Sequence, residues 1–380
     1  MTEEEPPAPE TERVHERPLT RMGRRRFVKT LVAAGFGTGS ASYLSADDFA
    51  GIDENEVPIV YAVARDDPED PTSIVPRTRT VDAAWYNELR AALSARDSLD
   101  LTDLDGVFNA YVVPGDHDGN ATASIVVDVR DEDVAAEVTA LADEIPIESS
   151  VVRAVGSERE PDSPALQYDP ESGPAVPGGI AVGSADGTAT LAPALYDPEA
   201  DERFFATADH LYAGESDELL ALADGVRYPL GRVHRHHEQE DLALIRATRE
   251  FEPAHALYAP PPNRVAGQFS RIGLADLKAR GAELHKIGAM TGHSTGRIHA
   301  IDGVTCIYGD PCKRGQLKWG EESDFTDGDS GSVSYHPDPE APDERVFVCG
   351  LNSARTWWPG ESYMWGTGAY VLHEQFGYTF

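Results

Sequence analysis

Residues 328–332 read GDSGS, and this short stretch governs the interpretation of the C-terminal half of the chain. Glycine adopts the backbone angles of tight turns at little cost, so a serine between glycines can stand on a turn with its hydroxyl exposed. The small neighbours let the backbone N–H groups of Gly328 and Ser330 point at one spot, where they would stabilise a developing negative oxygen. A serine hydroxyl is a weak nucleophile by itself, so the pattern predicts a base within hydrogen-bond reach.

Two upstream segments supply the partners that such a serine requires. The apolar run FFATA leads through an aspartate to His210, and histidine titrates near neutrality, so it can accept a proton and return it. Asp241 opens the apolar run LALI, and a buried carboxylate there would hold an imidazole in one tautomer. Glu238 and Glu240 are rival acids beside it. Each segment is common in isolation, so the prediction rests on their combination with the GDSGS turn.

The chain order His210, Asp241, Ser330 is the order of the catalytic groups on the two-barrel serine protease scaffold. On these motifs, residues 178–380 resemble a trypsin-like (chymotrypsin-fold) serine protease of the microbial type. The resemblance implies an all-β double barrel made of two six-stranded antiparallel barrels. It implies nucleophilic attack by Ser330, proton transfer by His210 and orientation of the imidazole by Asp241. The backbone N–H groups of Gly328 and Ser330 would form the oxyanion hole.

Further segments carry the same resemblance. GGIAVG at 178–183 resembles the opening strand, and VCGLNS at 348–353 resembles the strand that lines the substrate cleft after the nucleophile. KIG at 286–288, with TGHSTG at 291–296, resembles the start of the second barrel, where glycines permit tight hairpins. Residues 370–376 would form the closing helix.

The resemblance also implies a specificity pocket. Asp324 precedes Ser330 by six residues, where the family places the floor of its primary pocket, and an acid there would favour substrates with Arg or Lys. Asn352 and Ser353 would line the same pocket. The alternative is that Asp324 is one more surface aspartate, and we prefer it because the chain is so acidic.

Two aromatic or histidine-rich stretches and the cysteines leave alternatives open. HRHH at 234–237 could bind zinc, but a solvated loop before Asp241 explains it better, and we predict no metal site. The tryptophans at 357–358 could contact substrate or could pack. In an exported protein one disulfide is expected among three cysteines. Cys306 with Cys312 is favoured, and a bond from Cys312 to Cys349 is the alternative.

Residues 49–156 read as a small α+β domain. Four runs predict strands and two amphipathic stretches predict helices. The strands are at 57–63, 106–113, 123–129 and 149–155, and the helices are at 81–93 and 131–143. This order, β-α-β-β-α-β, is the ferredoxin-like arrangement. A proline-rich linker follows at 157–177. The domain is either a removable pro-domain that acts in cis on the protease cleft or a permanent accessory domain.

Residues 1–48 have the features of a targeting signal and a polar tail. RRRFVK at 24–29, followed by a mild apolar run at 31–44, resembles a twin-arginine export signal. The apolar run is too short and too rich in glycine for a stable membrane span. The alternative is a chance basic cluster in a disordered tail. We therefore predict an extracellular protein, exported by the twin-arginine pathway.

The charge of the chain excludes two classes of partner. With 32 basic and 66 acidic side chains, the formal net charge is −34. Nucleic acids and anionic membranes both require a basic face, so neither is expected to bind. Only five of the basic residues are lysines. An acidic, lysine-poor composition resembles proteins of salt-loving microbes, above all haloarchaea, and the alternative is an ordinary acidic secreted protein.

Together these observations predict an exported serine endopeptidase, or a related acyl hydrolase, that acts on peptide or protein substrates without a cofactor. The alternative is a catalytically silent trypsin-like domain that serves as a binding or surface scaffold. In a silent domain, His210 and Ser330 would be too far apart or occluded.

Overall fold

The computed structural model describes residues 55–68, 70–98, 105–140, 146–151, 164–185, 187–214, 216–306, 312–356 and 362–380. The predicted export signal, the first part of the predicted linker and the tryptophans at 357–358 lie outside these ranges.

Strands dominate the described residues, with four helices between them. In chain order the elements are β1 (Glu56–Arg65), β2 (Ile74–Asp82), α1 (Ala83–Ser98), β3 (Val107–Val113), β4 (Ser124–Val129), α2 (Glu132–Ala140), β5 (Ile147–Val151), β6 (Ala175–Gly178), β7 (Ala181–Gly183), β8 (Thr188–Thr190), β9 (Ala192–Asp197), β10 (Glu202–Thr207), β11 (Glu218–Ala223), β12 (Val226–His237), β13 (Leu242–Ala247), β14 (Glu252–Leu257), β15 (Arg264–Phe269), α3 (Arg271–Ala279), β16 (Glu283–Gly288), β17 (Gly292–Thr305), β18 (Lys313–Trp319), β19 (Val333–Pro337), β20 (Arg345–Arg355), β21 (Met364–Gly368) and α4 (Ala369–Phe376).

The first half of the predicted protease region forms an antiparallel sheet of seven strands in the order β8-β7-β11-β12-β13-β10-β9. Side chains of its inner face, among them Phe205, Leu219 and Ile245, are buried in one apolar cluster. β10 and β13 are neighbours, with Thr207 opposite Ala243. β8 and β9, the two ends of this order, are separated along the chain only by Leu191, so the sheet is partly barrel-like. The closed barrel of six strands stays a prediction for this half.

Six strands of the second half pair in a closed cycle that runs β16-β17-β18-β21-β20-β19 and returns to β16. The two halves share an apolar core, because Phe204 and Leu244 of the first sheet lie in one buried cluster with Val333 and Leu351 of the second. Three of these strands have an end near a residue predicted for catalysis: β10 ends before His210, β13 begins after Asp241 and β19 begins after Ser330. Residues 178–380 thus have an all-β fold whose sheets are partly barrel-like, with the helices α3 and α4 between and after the strands.

The ferredoxin-like arrangement predicted for residues 49–156 is wrong. The segment contains an additional strand, β2, which forms a hairpin with β1. β1 also pairs with β15 of the predicted protease region. β3 pairs with β17 on one side and with β4 on the other, and β5 pairs with β4. A ferredoxin-like sheet would place the first strand among the other strands of its own segment.

Two features of the sequence explain this error. β2 contains Pro76 and two arginines, which weaken its strand pattern. β1 is buried along almost its whole length, so its continuous apolar run marks an interior strand without specifying its neighbours.

Side-chain contacts also join the N-terminal segment to the protease region. Arg96 of α1 and Arg271 of α3 both donate to the buried carboxylate of Asp302. The Tyr370 hydroxyl of α4 donates to the same carboxylate over 2.7 Å. Asp48–Phe380 accordingly form one compact unit, and the division into 49–156, 157–177 and 178–380 stays a prediction about the sequence.

Other elements differ from the sequence prediction in length or type. α1 extends to Ser98, and the closing helix begins at Ala369. The loop predicted for the histidine-rich stretch is wrong, because residues 226–237 form β12, which pairs with β11 on one edge and β13 on the other. Among the described helices, none has the length and apolarity required to cross a lipid bilayer.

Candidate active site

His210 and Asp241 lie close together because β10 ends, and its antiparallel neighbour β13 begins, at the same end of the first sheet. β10 ends at Thr207, and a short 3₁₀ turn, Asp209–Tyr212, carries the histidine. Asp241 immediately precedes β13, the antiparallel neighbour of β10. Its φ is +54°, a left-handed conformation that reverses the chain into the strand. The Asp209 N–H donates to the Asp241 carbonyl over 3.1 Å, which holds the two turns together.

The side chains of this pair are joined by several hydrogen bonds. His210 Nδ1 lies 2.9 Å from Oδ2 and 3.0 Å from Oδ1 of Asp241, and the His210 backbone N–H donates to Oδ1 over 3.1 Å. The carboxylate is 2% exposed, whereas the imidazole is 52% exposed. The buried acid therefore faces Nδ1, and the other ring nitrogen remains on the open side of the ring.

The two groups shift each other's pKa. Burial works to lower the pKa of His210, but the hydrogen bond and charge of Asp241 outweigh it, so the pKa lies above its ordinary value. Burial works to raise the pKa of Asp241, but His210 and then the charge of Lys313 overcome it and lower the pKa. The acid thus stays ionised and favours the protonated imidazole, which is what a general base requires after it has accepted a proton.

The turn that carries Ser330 packs directly on the strand end that leads to the histidine. Gly331 has a φ of +89°, and a Cβ at this position would lie 2.8 Å from the backbone nitrogen of Ala208 and against the Thr207 hydroxyl. Only glycine permits this approach. The Thr190 N–H donates to the Ser330 carbonyl over 2.8 Å and fixes the turn from the other side.

The Ser330 hydroxyl donates to the carbonyl oxygen of Ser353 over 3.1 Å, and the residue is 7% exposed. Within the described ranges, no hydrogen bond joins it to the imidazole of His210. Catalytic hydrogen bonds are often unformed in ligand-free enzymes and form with substrate. A bond to His210 would require the Ser330 hydroxyl to rotate away from the Ser353 carbonyl.

The N–H groups of Gly328 and Ser330 are available as donors. Gly328 has a φ of +94°, and its carbonyl accepts from the Thr190 hydroxyl over 2.9 Å. Neither N–H donates to an acceptor in the described part of the chain. Two uncommitted donors two residues apart on a glycine turn can stabilise an oxyanion.

The aspartate of the GDSGS turn anchors it from inside the protein. Asp329 and Lys286 form an ion pair, Oδ2 to Nζ 3.2 Å, in which neither side chain is exposed. The carboxylate also accepts from the N–H groups of Met290, Thr291 and Thr326 at 2.9–3.2 Å and from the Thr291 hydroxyl at 2.7 Å. Burial lowers the pKa of Lys286, and the charge of Asp329 opposes that shift.

Lys286 is a residue of the site for which the sequence predicted no role. A signal exists, because this lysine lies in the apolar run LHKIGA of a chain that has only five lysines. A lone charge on an interior strand predicts a buried partner. That partner is 43 residues further along the chain, so no local pattern could identify it.

The residues predicted for the specificity pocket have separate roles. Asn352 is buried, accepts from Trp319 Nε1 over 3.0 Å and donates to the Ser332 hydroxyl over 3.1 Å. Ser353 offers its carbonyl to Ser330, as described above. The Asp324 carboxylate accepts from the Glu321 N–H over 3.3 Å and helps to cap a 3₁₀ turn. Its role in a pocket stays a prediction.

The histidines of β12 face three different partners. His236 Nδ1 lies 2.6 Å from Asp209 Oδ1, and His237 Nε2 lies 3.1 Å from the Tyr378 hydroxyl. His234 stacks on Phe204. Across the ranges that the structure describes, no three His, Cys, Asp or Glu side chains converge as metal ligands.

The cysteines divide into a bonded pair and a buried thiol. Cys306 and Cys312 form a disulfide immediately before β18. Cys349 is free and buried in β20, and burial raises the pKa of its thiol well above the ordinary value. A raised pKa keeps the thiol protonated and unreactive.

Neither a protein family model nor a curated protein matches this chain. Solved structures that it is similar to include a glutamic-acid-specific serine protease reported to use a histidine triad in substrate binding, at 18% identity and a TM-score of 0.40, covering 54% of this chain and 99% of that one. They also include proteases of Nocardiopsis (16%, 0.39) and Thermobifida fusca (17%, 0.39), each covering 54% of this chain and 97% of the other. At these identities and TM-scores the likeness carries no weight on activity, and the case for a site rests on its own contacts.

Proposed function

We propose that the protein is a serine endopeptidase that hydrolyses peptide bonds through an acyl-enzyme intermediate. The observation that carries the proposal is the packing of the Ser330 turn on the strand end that presents His210, whose Nδ1 is held by buried Asp241. A serine, an imidazole and an ionised acid in this relation provide a nucleophile, a base and an orienting group.

The chemistry follows from these positions. Ser330 Oγ bonds to the substrate carbonyl carbon while its proton passes to Nε2 of His210, since Nδ1 faces Asp241. The carbonyl electron pair moves to oxygen, which accepts from the free N–H groups of Gly328 and Ser330. Collapse of this intermediate breaks the C–N bond, and the imidazolium returns the proton to the amine. Water then attacks the acyl-enzyme by the same route.

A peptide, rather than a simple ester, suits the strand beside the serine. β20 pairs with β19 as far as Leu351 and continues to Arg355 with pairing only to β21 among the described strands. The edge from Ser353 to Arg355 therefore offers backbone groups to an extended chain. An added substrate strand would bring main-chain hydrogen bonds to the carbonyl that Ser330 attacks.

A fluorophosphonate probe in molar salt tests the proposal, because it labels activated serines. We expect labelling of the intact protein, loss of labelling in Ser330→Ala, and strong reduction in His210→Gln. Each variant should keep the wild-type circular dichroism spectrum. A folded wild-type protein that resists the probe, or a Ser330→Ala variant that labels equally, would refute the proposal.

One observation favours the silent scaffold as a second candidate. The Ser330 hydroxyl is buried and committed to Ser353 rather than to His210. If this arrangement persists with substrate, the serine is never activated. A peptide library incubated with the protein separates the candidates, since cleavage requires activation and mere capture of peptides does not.

We further propose that the protein is exported and works in salt. The motif RRRFVK and the net charge of −34 support this proposal. The N-terminal segment would act in cis at the cleft, because its Phe108 packs, as Ala354 of β20 does, against the buried cluster of Tyr363 and Trp365. N-terminal sequencing of protein from the culture medium tests both ideas. A start near Ser45 supports export with a retained segment, and a start near Gly178 supports a removed pro-domain.

A further inference from the structure

Asp241 is contacted by a second cationic side chain besides His210. The Nζ of Lys313 lies 3.4 Å from Asp241 Oδ2, and its side chain is 18% exposed. Lys313 begins β18 and directly follows Cys312, which is bonded to Cys306. The carboxylate that orients the imidazole is therefore shared between two groups from different halves of the protease region.

Neighbouring contacts hold the start of β18 against the loop that carries the acid. Gln239 Nε2 donates to the Cys312 carbonyl over 3.3 Å. The Thr367 hydroxyl of β21 donates to the Glu240 carbonyl over 2.8 Å, and β21 pairs with β18 along its length. Both bonds reach the two residues that precede Asp241, so the approach of Lys313 is set by the backbone and not only by its own side chain.

The charged groups that act on the pair come from several elements. His210 is faced by Asp241, by Lys313 and by the adjacent Asp209. Asp209 is itself hydrogen-bonded to His236 of β12, Oδ1 to Nδ1 2.6 Å. Buried Glu240 is the other acid near Lys313.

The contact of Asp241 with both Lys313 and His210 affects the protonation of the imidazole. A cation on Oδ2 draws part of the carboxylate's charge away from the imidazole, so the protonated form of His210 is less favoured. Consistently, the charge of Lys313 opposes the rise that Asp241 causes in the pKa of His210. The imidazole then stays unprotonated, and competent as a base, to a lower pH.

We propose that Lys313 is a positioning residue that shares the Asp241 carboxylate with His210 and so sets the pH range in which that imidazole can act as a base. The inference rests on the proposed hydrolase function, for which it supplies the pH control of the same site. It concerns a residue that touches neither the substrate nor the reacting atoms.

The test compares Lys313→Met and Lys313→Arg with wild type, and Lys278→Met on α3 is the matched control. The imidazole of His210 is titrated by NMR in histidine-labelled protein, with His210→Gln for assignment. The pH profile of kcat/KM is measured in parallel. In Lys313→Met we expect His210 to titrate at higher pH, and the ratio of kcat/KM at pH 6 to that at pH 8 to fall by about threefold or more. Lys313→Arg should restore both values, and Lys278→Met should change neither.

Two outcomes distinguish the failures. An unchanged His210 titration in folded Lys313→Met overturns the inference, whatever the activity. A wild-type protein that neither labels nor cleaves refutes the proposed hydrolase, although the NMR shift would still report the role of Lys313. If Lys313→Met does not fold, Lys313→Gln keeps a polar chain of similar length without the charge, and the same two readings apply to it.

Discussion

The ion pair between Lys286 and Asp329 makes a prediction that joins stability to activity. Lys286→Met removes the cation and leaves a carboxylate with no solvent exposure. Breaking a buried pair by removal of one partner costs about 3–5 kcal/mol. Three backbone N–H groups and the Thr291 hydroxyl still reach Asp329, so we expect the low end, about 3 kcal/mol.

A double variant separates the free-energy cost of the unpaired Asp329 charge from the cost of changed packing at residue 286. Lys286→Met with Asp329→Asn leaves no uncompensated charge, so it should recover at least half of the stability lost by the single variant. Lys278→Met is the control, because a substitution outside the buried network should stay within about 0.5 kcal/mol.

Urea unfolding in molar salt measures the free energy of unfolding. The rate of fluorophosphonate labelling reports whether the turn that carries Ser330 keeps its conformation. Because Asp329 directly precedes Ser330, the proposed nucleophile, loosening of its network should slow labelling by about tenfold, which corresponds to about 1.4 kcal/mol in the barrier. A Lys286→Met variant that unfolds at the wild-type urea concentration and labels at the wild-type rate would refute the reasoning.

Three further predictions concern a glycine of the Ser330 turn, a histidine with a lowered pKa and the pairing of the N-terminal strands. Gly331→Ala should cost roughly 1–3 kcal/mol and abolish labelling, since its Cβ would strike the Ala208 nitrogen at a φ of +89°; an active, stable variant would contradict this. Burial, with the charge of Arg65, lowers the pKa of His255 from 6.5 to about 3, so its stabilisation is full above pH 6.5 and is lost as the pH falls toward 3. Acid titration of the unfolding free energy should show this as up to about 1.4 kcal/mol per pH unit, and His255→Asn should reduce the slope. A cleavage site inserted at 157–163 should yield two fragments that elute together without denaturant, because β1 pairs with β15 and β3 with β17; their separation would argue against this pairing.

The candidate residues His210, Asp241 and Ser330 could be named from sequence because their signals are local. Each signal spans only a few residues: a serine between glycines, a histidine after an apolar run, and an acid before an apolar run. Turn chemistry and strand ends depend on near neighbours, so they remain visible in a single sequence.

The partners of these residues were not visible. Lys286 and Lys313 reach Asp329 and Asp241 only after strands from distant parts of the chain pair. The same holds for the N-terminal segment. The apolar pattern of β1 predicts a buried strand but does not specify which strands pair with it.

The sequence by itself determined the candidate residue types, the glycine turn that can carry the serine and the strongly negative net charge of the chain. Only the tertiary structure decided which strand edges meet, which lysines are buried beside which acids, and where the Ser330 hydroxyl points. The reason is physical: side-chain periodicity records burial, whereas pairing and charge compensation depend on residues that lie far apart along the chain.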